Sequence, residues 1–256
     1  MSRKKEKIEL GEVTRETAKK RFKKFPLAIL PVGSCEQHGP HLPLDTDAYD
    51  AHYVATEAAN LSKSPKPLVL PTLPYGISLH HLGFCGTVSL TPQTFINLVF
   101  EIAESVKLHG VKALVVVNGH GGNTASLIAA GQMIKHRLGM EFYIYEGWSG
   151  GHKRFGIPGD VHAGGFETST SLAIRPHLVD REAIPQPVKS SFPIPQTNFS
   201  AEEHIGFAFN TDELSKTGVL GDATKIDIEK GKEFWKRSIE NLVAILEELR
   251  KHLLRA

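Results

Sequence analysis

Apolar residues in this chain fall into short unbroken runs separated by longer stretches of helical period. Residues 27–32 (LAILPV), 67–71 (PLVLP), 111–117 (VKALVVV) and 142–145 (FYIY) are bounded by proline, glycine or polar residues and predict short strands. Four to six consecutive apolar residues, without alternation, predict strands covered on both faces. Residues 87–90 (TVSL) predict one further short strand.

The intervening segments predict helices. Residues 12–24 form a basic amphipathic stretch suited to the surface, and residues 48–61 space Tyr49, Val54, Ala55 and Ala58 at helical intervals. Thr91 is a good N-cap with Pro92 at the first helical position. The stripe Phe95, Leu98, Val99, Ile102 and Val106 then runs to a glycine stop at Gly110. Further helices are predicted through Leu127, Ile128 and Met133 to Leu138, over 166–174, and over 226–253, where Trp235, Ile239, Leu242, Ile245, Leu246 and Leu249 share one face. Residues 176–217, with Pro185, Pro187, Pro193 and Pro195, read as an irregular excursion or a segment ordered by a partner subunit. Strands alternating with helices predict the α/β class: one domain over residues 1–256, a three-layer α/β/α sandwich around a mostly parallel sheet.

Composition narrows the function classes. The net charge of +2, with much of the basic excess in Arg3-Lys4-Lys5 and residues 19–24, gives no reason to expect a nucleic-acid partner. No apolar run approaches the roughly 18 residues of a membrane span, and the N-terminus lacks a signal-peptide core. Two cysteines, Cys35 and Cys85, are too few for a disulfide framework and predict reduced thiols in a cytoplasmic protein. Cys35 beside Glu36 suits packing better than nucleophilic catalysis.

The chemistry concentrates in three places. Residues 31–50 (PVGSCEQHGPHLPLDTDAYD) pack Glu36, His38, His41, Asp45 and Asp47 between glycines and prolines. A rigid loop at a strand end can turn several such side chains toward one point. A carboxylate such as Asp47 can bridge two cations, as in two-metal hydrolytic sites. Glu-x-His alone also fits a hydrogen-bonded polar loop. Asn118 to Asn123 (NGHGGN) puts His120 past the end of a buried strand, where open α/β sheets bind ligands. A tight glycine turn with a surface histidine, or an anion-binding nest, fits that stretch as well. Finally His162 and Glu167, with Asp160 nearby, surround two glycines at a helix start, where Glu167 also suits the helix dipole. The pair His80-His81 lies in the loop of residues 74–86, and residues 146–159 form a glycine-rich loop with Trp148, His152 and Phe155.

The blocks GSCEQHGPHLPLDTD, NGHGGN and HAGGFETS, in this order, resemble the creatininase (creatinine amidohydrolase) family, and the likeness extends to residues 217–222 (TGVLGD). This resemblance implies a three-layer sandwich and two divalent ions per chain, Zn, Mn or Fe(II). It implies Glu36 and His120 as ligands of one metal, His38 as a ligand of the other, and Asp47 as the bridge. His162 matches the family's catalytic histidine. Glu167 lies in the matching acidic segment, as ligand or as acid/base. His41 and Asp45 take supporting roles.

The implied activity is hydrolysis of a C–N amide bond (formamide, cyclic amide or peptide-like) by a metal-activated hydroxide. A small-molecule amide is the implied substrate and a homo-oligomer, commonly a hexamer, the implied assembly. Two departures count against creatinine itself, which stands as an alternative substrate. Gly122 replaces a metal-binding glutamate of creatininase, and Pro158 replaces a tryptophan four residues before the catalytic histidine. The glycine-rich turn is closer to the formamide-hydrolase and peptidase branches. A non-enzymatic nucleotide- or small-molecule-binding α/β protein is the alternative from another class.

Overall fold

The computed structural model describes residues 6–147, 160–187, 189–199, 202 and 205–255. Arg3-Lys4-Lys5, Trp148, His152, Phe155 and Pro158 lie outside the described residues. Strands β1 (Leu27–Val32), β2 (Leu68–Val69), β3 (Ala113–Asn118) and β4 (Glu141–Tyr145) form a sheet of order β2-β1-β3-β4. Every pairing in it is parallel, with Leu27 opposite Ala113 and Ala113 opposite Glu141.

Side-chain alternation along the strands builds two cores. Leu27 and Ile29 of β1 with Ala113, Val115 and Val117 of β3 face helices α2 (Thr46–Leu61) and α7 (Ile228–Arg255), against Trp235, Leu242 and Leu246. Ala28, Leu30 and Val32 with Leu114 and Val116 face α3 (Pro92–Leu108) and α4 (Thr124–Leu138), against Phe95, Val99, Leu127 and Ile134. Both faces are covered, so β1 and β3 are buried at every position and carry no polar alternation. β4 lies at the sheet edge and is only half-buried along its length. The fold is the expected three-layer α/β class.

Local signals work as expected at several ends. Thr91 Oγ1 accepts the Thr94 amide with Pro92 in the first turn, and Gly139, at φ 61°, closes α4 in the left-handed region. Helix α1 (Arg15–Lys24) is capped by Thr14 and starts three residues later than the amphipathic pattern predicts.

Residues 87–90 correct the reading of a further strand. They make only a single bridge, Cys35 to Val88, while Leu90 N donates to Gly76 O. Their backbone is spent fastening the loop of residues 74–86 over the end of β1, leaving nothing to pair with the sheet.

The described residues of 176–217 are irregular, apart from two 3-10 turns and the short helix α6 (Thr211–Leu214). Among the described residues no helix is long and apolar enough to cross a membrane.

In the order β2-β1-β3-β4 the chain leaves β1 toward opposite sides of the sheet, to β2 and to β3. Such a switch point opens a crevice at the carboxyl ends of the strands. Gly33 follows β1 there, and Gly119 follows β3. Gly119 N donates to Val32 O at 2.8 Å and ties the two ends together.

Candidate metal centre

Three chain segments deliver acidic and imidazole groups into that crevice. Asp47 was expected in the loop after β1, but it lies in the first turn of α2, where the helix fixes its direction and tolerates a carboxylate. Glu36 and His38 come from the loop itself, and His120 from the turn after β3. His162 and Glu167 flank the start of helix α5 (Gly165–Ile174). Glu36, His38, Asp47, His120 and His162 are all buried.

Backbone carbonyls orient the three imidazoles. His38 Nδ1 lies 3.2 Å from Glu36 O, His120 Nε2 2.9 Å from Ile77 O, and His162 Nε2 2.7 Å from Gln37 O. A carbonyl only accepts, so each of these nitrogens carries a proton, and the opposite nitrogen is the one that offers a lone pair to the crevice once it is deprotonated. There His38 Nε2 is 3.1 Å from Asp47 Oδ1, and His120 Nδ1 is 3.1 Å from Asp47 Oδ2. One Asp47 oxygen thus serves each histidine. His162 Nδ1 is 3.6 Å from Glu36 Oε1.

Glu36 is held by two serines that composition gave no reason to single out. Ser34 Oγ and Ser78 Oγ donate to its Oε2 at 3.1 and 2.5 Å. Asn123 clamps the same corner, accepting Ile77 N at 2.9 Å and donating to Gly33 O at 3.0 Å.

Buried Glu36 Oε1 has no hydrogen-bond partner, and buried Asp47 Oδ2 has only the His120 Nδ1 approach at 3.1 Å. Orphaned carboxylate oxygens that converge with imidazole lone pairs are the complement of a cation. Two donor sets arise, each with its ligand atoms within 4.8 Å of one another: Glu36, Asp47 and His120, and Glu36, His38 and His162. The first unites three residues expected to share a metal. The second brings in His162, which the sequence put in a catalytic rather than a ligand role.

Glu167 belongs to neither donor set; its Oε2 accepts Ala163 N at 2.5 Å and lies 3.9 Å from His38 Nε2. His41 and Asp45 point elsewhere. His41 Nε2 meets Thr168 Oγ1 at 2.8 Å, and Asp45 pairs with Arg175 at 2.9 Å.

The field of the site follows from this packing. Burial raises the Glu36 carboxyl. Burial pushes the Asp47 carboxyl up too, but His38 and His120 outweigh it and hold Asp47 well below the carboxylate range. Burial lowers His120, yet Glu36 and Asp47 overcome it and lift the imidazole to about 9. His38 is raised in the same way by Asp47, against its own burial. Burial, with the neighbouring His38, keeps His162 well below its ordinary value. Glu167 is lifted to about 7, by burial first and with Asp47 adding to it.

A ligand imidazole must be neutral, so binding of a divalent ion displaces the proton that His120 holds below pH 9. Raising the pH from 6 toward 9 is therefore expected to tighten metal binding by about tenfold per pH unit for each proton displaced. Calorimetric titration in buffers of different ionisation heat counts those protons, and a flat pH dependence would contradict the assignment. In the metal-free chain the sign is opposite. The raised His120 value contributes stability that is complete below about pH 6.5 and lost as pH rises through about 9.

The donor sets lie in a cavity of about 350 Å³. Its far wall is apolar: Ala51 and Val54 of α2, Phe166 of α5, Phe234 and Trp235 of α7, and Phe209. His80 and His81, from the loop of residues 74–86, also line it. His81 Nδ1 meets Gln37 Nε2 at 2.9 Å, and its Nε2 is 3.6 Å from Glu36 Oε1.

The family described as Creatininase: Creatinine amidohydrolase matches residues 11–246. The chain belongs to the creatininase family. It is therefore an enzyme, a hydrolase acting on carbon–nitrogen bonds.

Similarity is found to the mycofactocin precursor peptide peptidase of Mycobacterium tuberculosis, 33% identical over 91% of this chain and 90% of the relative. Among solved structures, a Bacteroides fragilis protein described provisionally as a creatinine amidohydrolase superposes with a TM-score of 0.85 at 25% identity, covering 98% of each chain. A mutant creatininase of Zn–Zn type superposes with a TM-score of 0.81 at 25% identity, covering 94% of this chain and 98% of that one. With the donor sets above, that likeness supports the use of divalent metal in this creatininase-family chain.

Gly122 stands where creatininase itself has a metal-binding glutamate. A Cβ at Gly122 would lie 2.3 Å from Ile77 O and 2.4 Å from His120 Nε2. The turn in this family member has no room for that side chain.

Proposed function

We propose that the chain is a two-metal amidohydrolase cleaving a C–N amide bond beside an apolar group, with peptide-like substrates the first choice. The carrying observation is the convergence of two buried donor sets, with Glu36 Oε1 left without a hydrogen-bond partner, at an apolar cavity. Glu36, Asp47 and His120 would hold one ion, and His38, with His162 and within reach of Asp47, would hold the other. When bound, such ions lower the pKa of coordinated water toward about 7 and polarise a carbonyl.

The chain's own residues do the rest. Ser34 and Ser78 fix Glu36, and the carbonyls of Glu36, Ile77 and Gln37 fix the imidazoles. Glu167, with a pKa near 7 and one oxygen anchored on Ala163 N, is suited to taking a proton and handing it to the departing nitrogen. Its Oε2 lies 3.9 Å from His38 Nε2, beside the second donor set.

The apolar wall favours a substrate with an aliphatic or aromatic side chain, and the 33% identity to a precursor-peptide peptidase supports peptides over creatinine. By family resemblance the chain works in the cytoplasm as one domain in a homo-oligomer, a hexamer, with Cys35 and Cys85 as free thiols.

A panel of formamides, cyclic amides and short peptides tests this reading. Turnover is expected in one class, lost after chelator treatment and restored by Zn or Mn. Full hydrolysis by metal-stripped protein ends it, as would ligand binding that survives chelation without any turnover.

A further inference from the structure

The acidic groups lining the cavity divide into those with partners and one without. Glu36 is held by Ser34 and Ser78, and Asp47 faces His38 and His120. Asp160 accepts Phe166 N at 2.8 Å and caps α5, in a space that a Cβ at Gly164 or Gly221 would fill. Glu167 takes Ala163 N. Asp50 lines the same cavity and makes no hydrogen bond or ion pair with any described residue.

Arg175 is the cation that acts on it most strongly. Its Nη1 is engaged by both oxygens of Asp45 and its guanidinium lies 3.9 Å from the Tyr49 ring centre, while its Nε and Nη2 make no hydrogen bond, to Asp50 or to any other described residue. Among the described residues no lysine or arginine lines the cavity.

Asp50 sits three residues after Asp47 on α2 and so shares its face, with about 5–6 Å between the two Cβ atoms. Ala51, Val54, Phe166 and Trp235 line the same cavity. An unpaired carboxyl in such surroundings is costly to ionise: burial, then Asp47, drives its pKa well above the ordinary range. A cationic group on a substrate supplies the missing partner, and the Trp235 and Phe166 rings suit both that charge and the hydrocarbon attached to it.

We propose that Asp50 is a substrate-binding residue that selects amides carrying an ammonium group one helical turn from the metal centre, next to an apolar side chain. This rests on the hydrolase reading for the identity of the amide, but the subsite is measurable without turnover.

The experiment uses metal-loaded full-length protein, with Asp50→Asn and Asp50→Ala compared at matched metal content and matched melting temperature. Calorimetric binding of phenethylamine is set against its neutral analogue 2-phenylethanol. Wild type is expected to prefer the amine by about tenfold or more, and Asp50→Asn to bring the two within about twofold. Equal binding in the wild type overturns the proposal. So does an amine preference that survives in Asp50→Asn, which would put the amine on the metals instead.

Turnover of L-phenylalaninamide and N-acetyl-L-phenylalaninamide separates this inference from the reading beneath it. A preference for the free amine, carried in KM and lost in Asp50→Asn, supports both. Equal hydrolysis of the two amides by wild type and variant overturns the Asp50 assignment and keeps the hydrolase. An Asp50-dependent amine preference in binding, without hydrolysis of any amide in the panel, supports the subsite and overturns the peptide-like choice of substrate.

Discussion

Replacing His120 by alanine should leave a folded protein that has lost a metal equivalent and nearly all amide hydrolysis, a fall on the order of 10³-fold or more. Losing a group that only supports a ligand costs about 10–100-fold in metal affinity or activity, and His120 belongs to a donor set itself. Its ring fills the corner between Glu36 and Asp47, at 3.3 and 3.1 Å. Truncation there removes one of the three donors of its set and leaves Glu36 and Asp47 to hold that ion without an imidazole. Folding should survive, because β3 and its register with β1 end before the turn that carries the ring. Elemental analysis beside a melting curve reads out both halves. Retained metal with full turnover would remove His120 from the centre.

The second large effect concerns backbone rather than chemistry. A Cβ on Gly119 would fall 2.1 Å from Asp47 O, and one on Gly33 would fall 2.3 Å from the Ala48 Cα. Both strand ends therefore press directly against the first turn of α2. Neither glycine needs the left-handed region; what excludes a side chain is contact with main chain, which cannot rotate away. Gly119→Ala is expected to cost about 3 kcal/mol, the upper range for overpacking. In a chain of this size that is a drop of roughly 6–12 °C in melting temperature. It should also weaken metal binding, since the turn it displaces carries Asp47. An unchanged melting temperature would mean that the helix start shifts freely, and with it the bridge.

Much of the sandwich is legible in the chain because two-sided burial leaves a simple trace. β1 and β3 read as unbroken apolar runs, and Thr91-Pro92 marks the start of α3 through a physical need, an acceptor for Thr94 N. Residues 87–90 failed that test because β-prone composition says nothing about where the amides go, and theirs go to the loop around Gly76 and Cys35. Asp47 was legible as a site residue but not as a helical one, since the turn that begins α2 carries no strong cap; Asp45 makes no capping bond.

The candidate site divides in the same way. Glu36, His38, Asp47, His120 and His162 are visible as residue types in tight glycine-rich blocks. Ser78, His81 and Asp50 are not: Ser78 reaches Glu36 from 42 residues away, and Asp50 looks like an ordinary polar position on a helix. Only tertiary packing gives them their surroundings.

The donor residues, spread from position 36 to position 162, have a consequence for the life of the folded chain. Parallel strands pair only after their crossover helices are in place, so the groups that would bind an ion come together late in folding. A metal at this centre would bind the finished structure and almost nothing before it. By mass action, an ion at a hundred times its dissociation constant adds about 2.7 kcal/mol to the folded state. The centre would then work as a clasp closed last and opened first: metal supply would set how long a finished molecule endures without hastening the making of a new one.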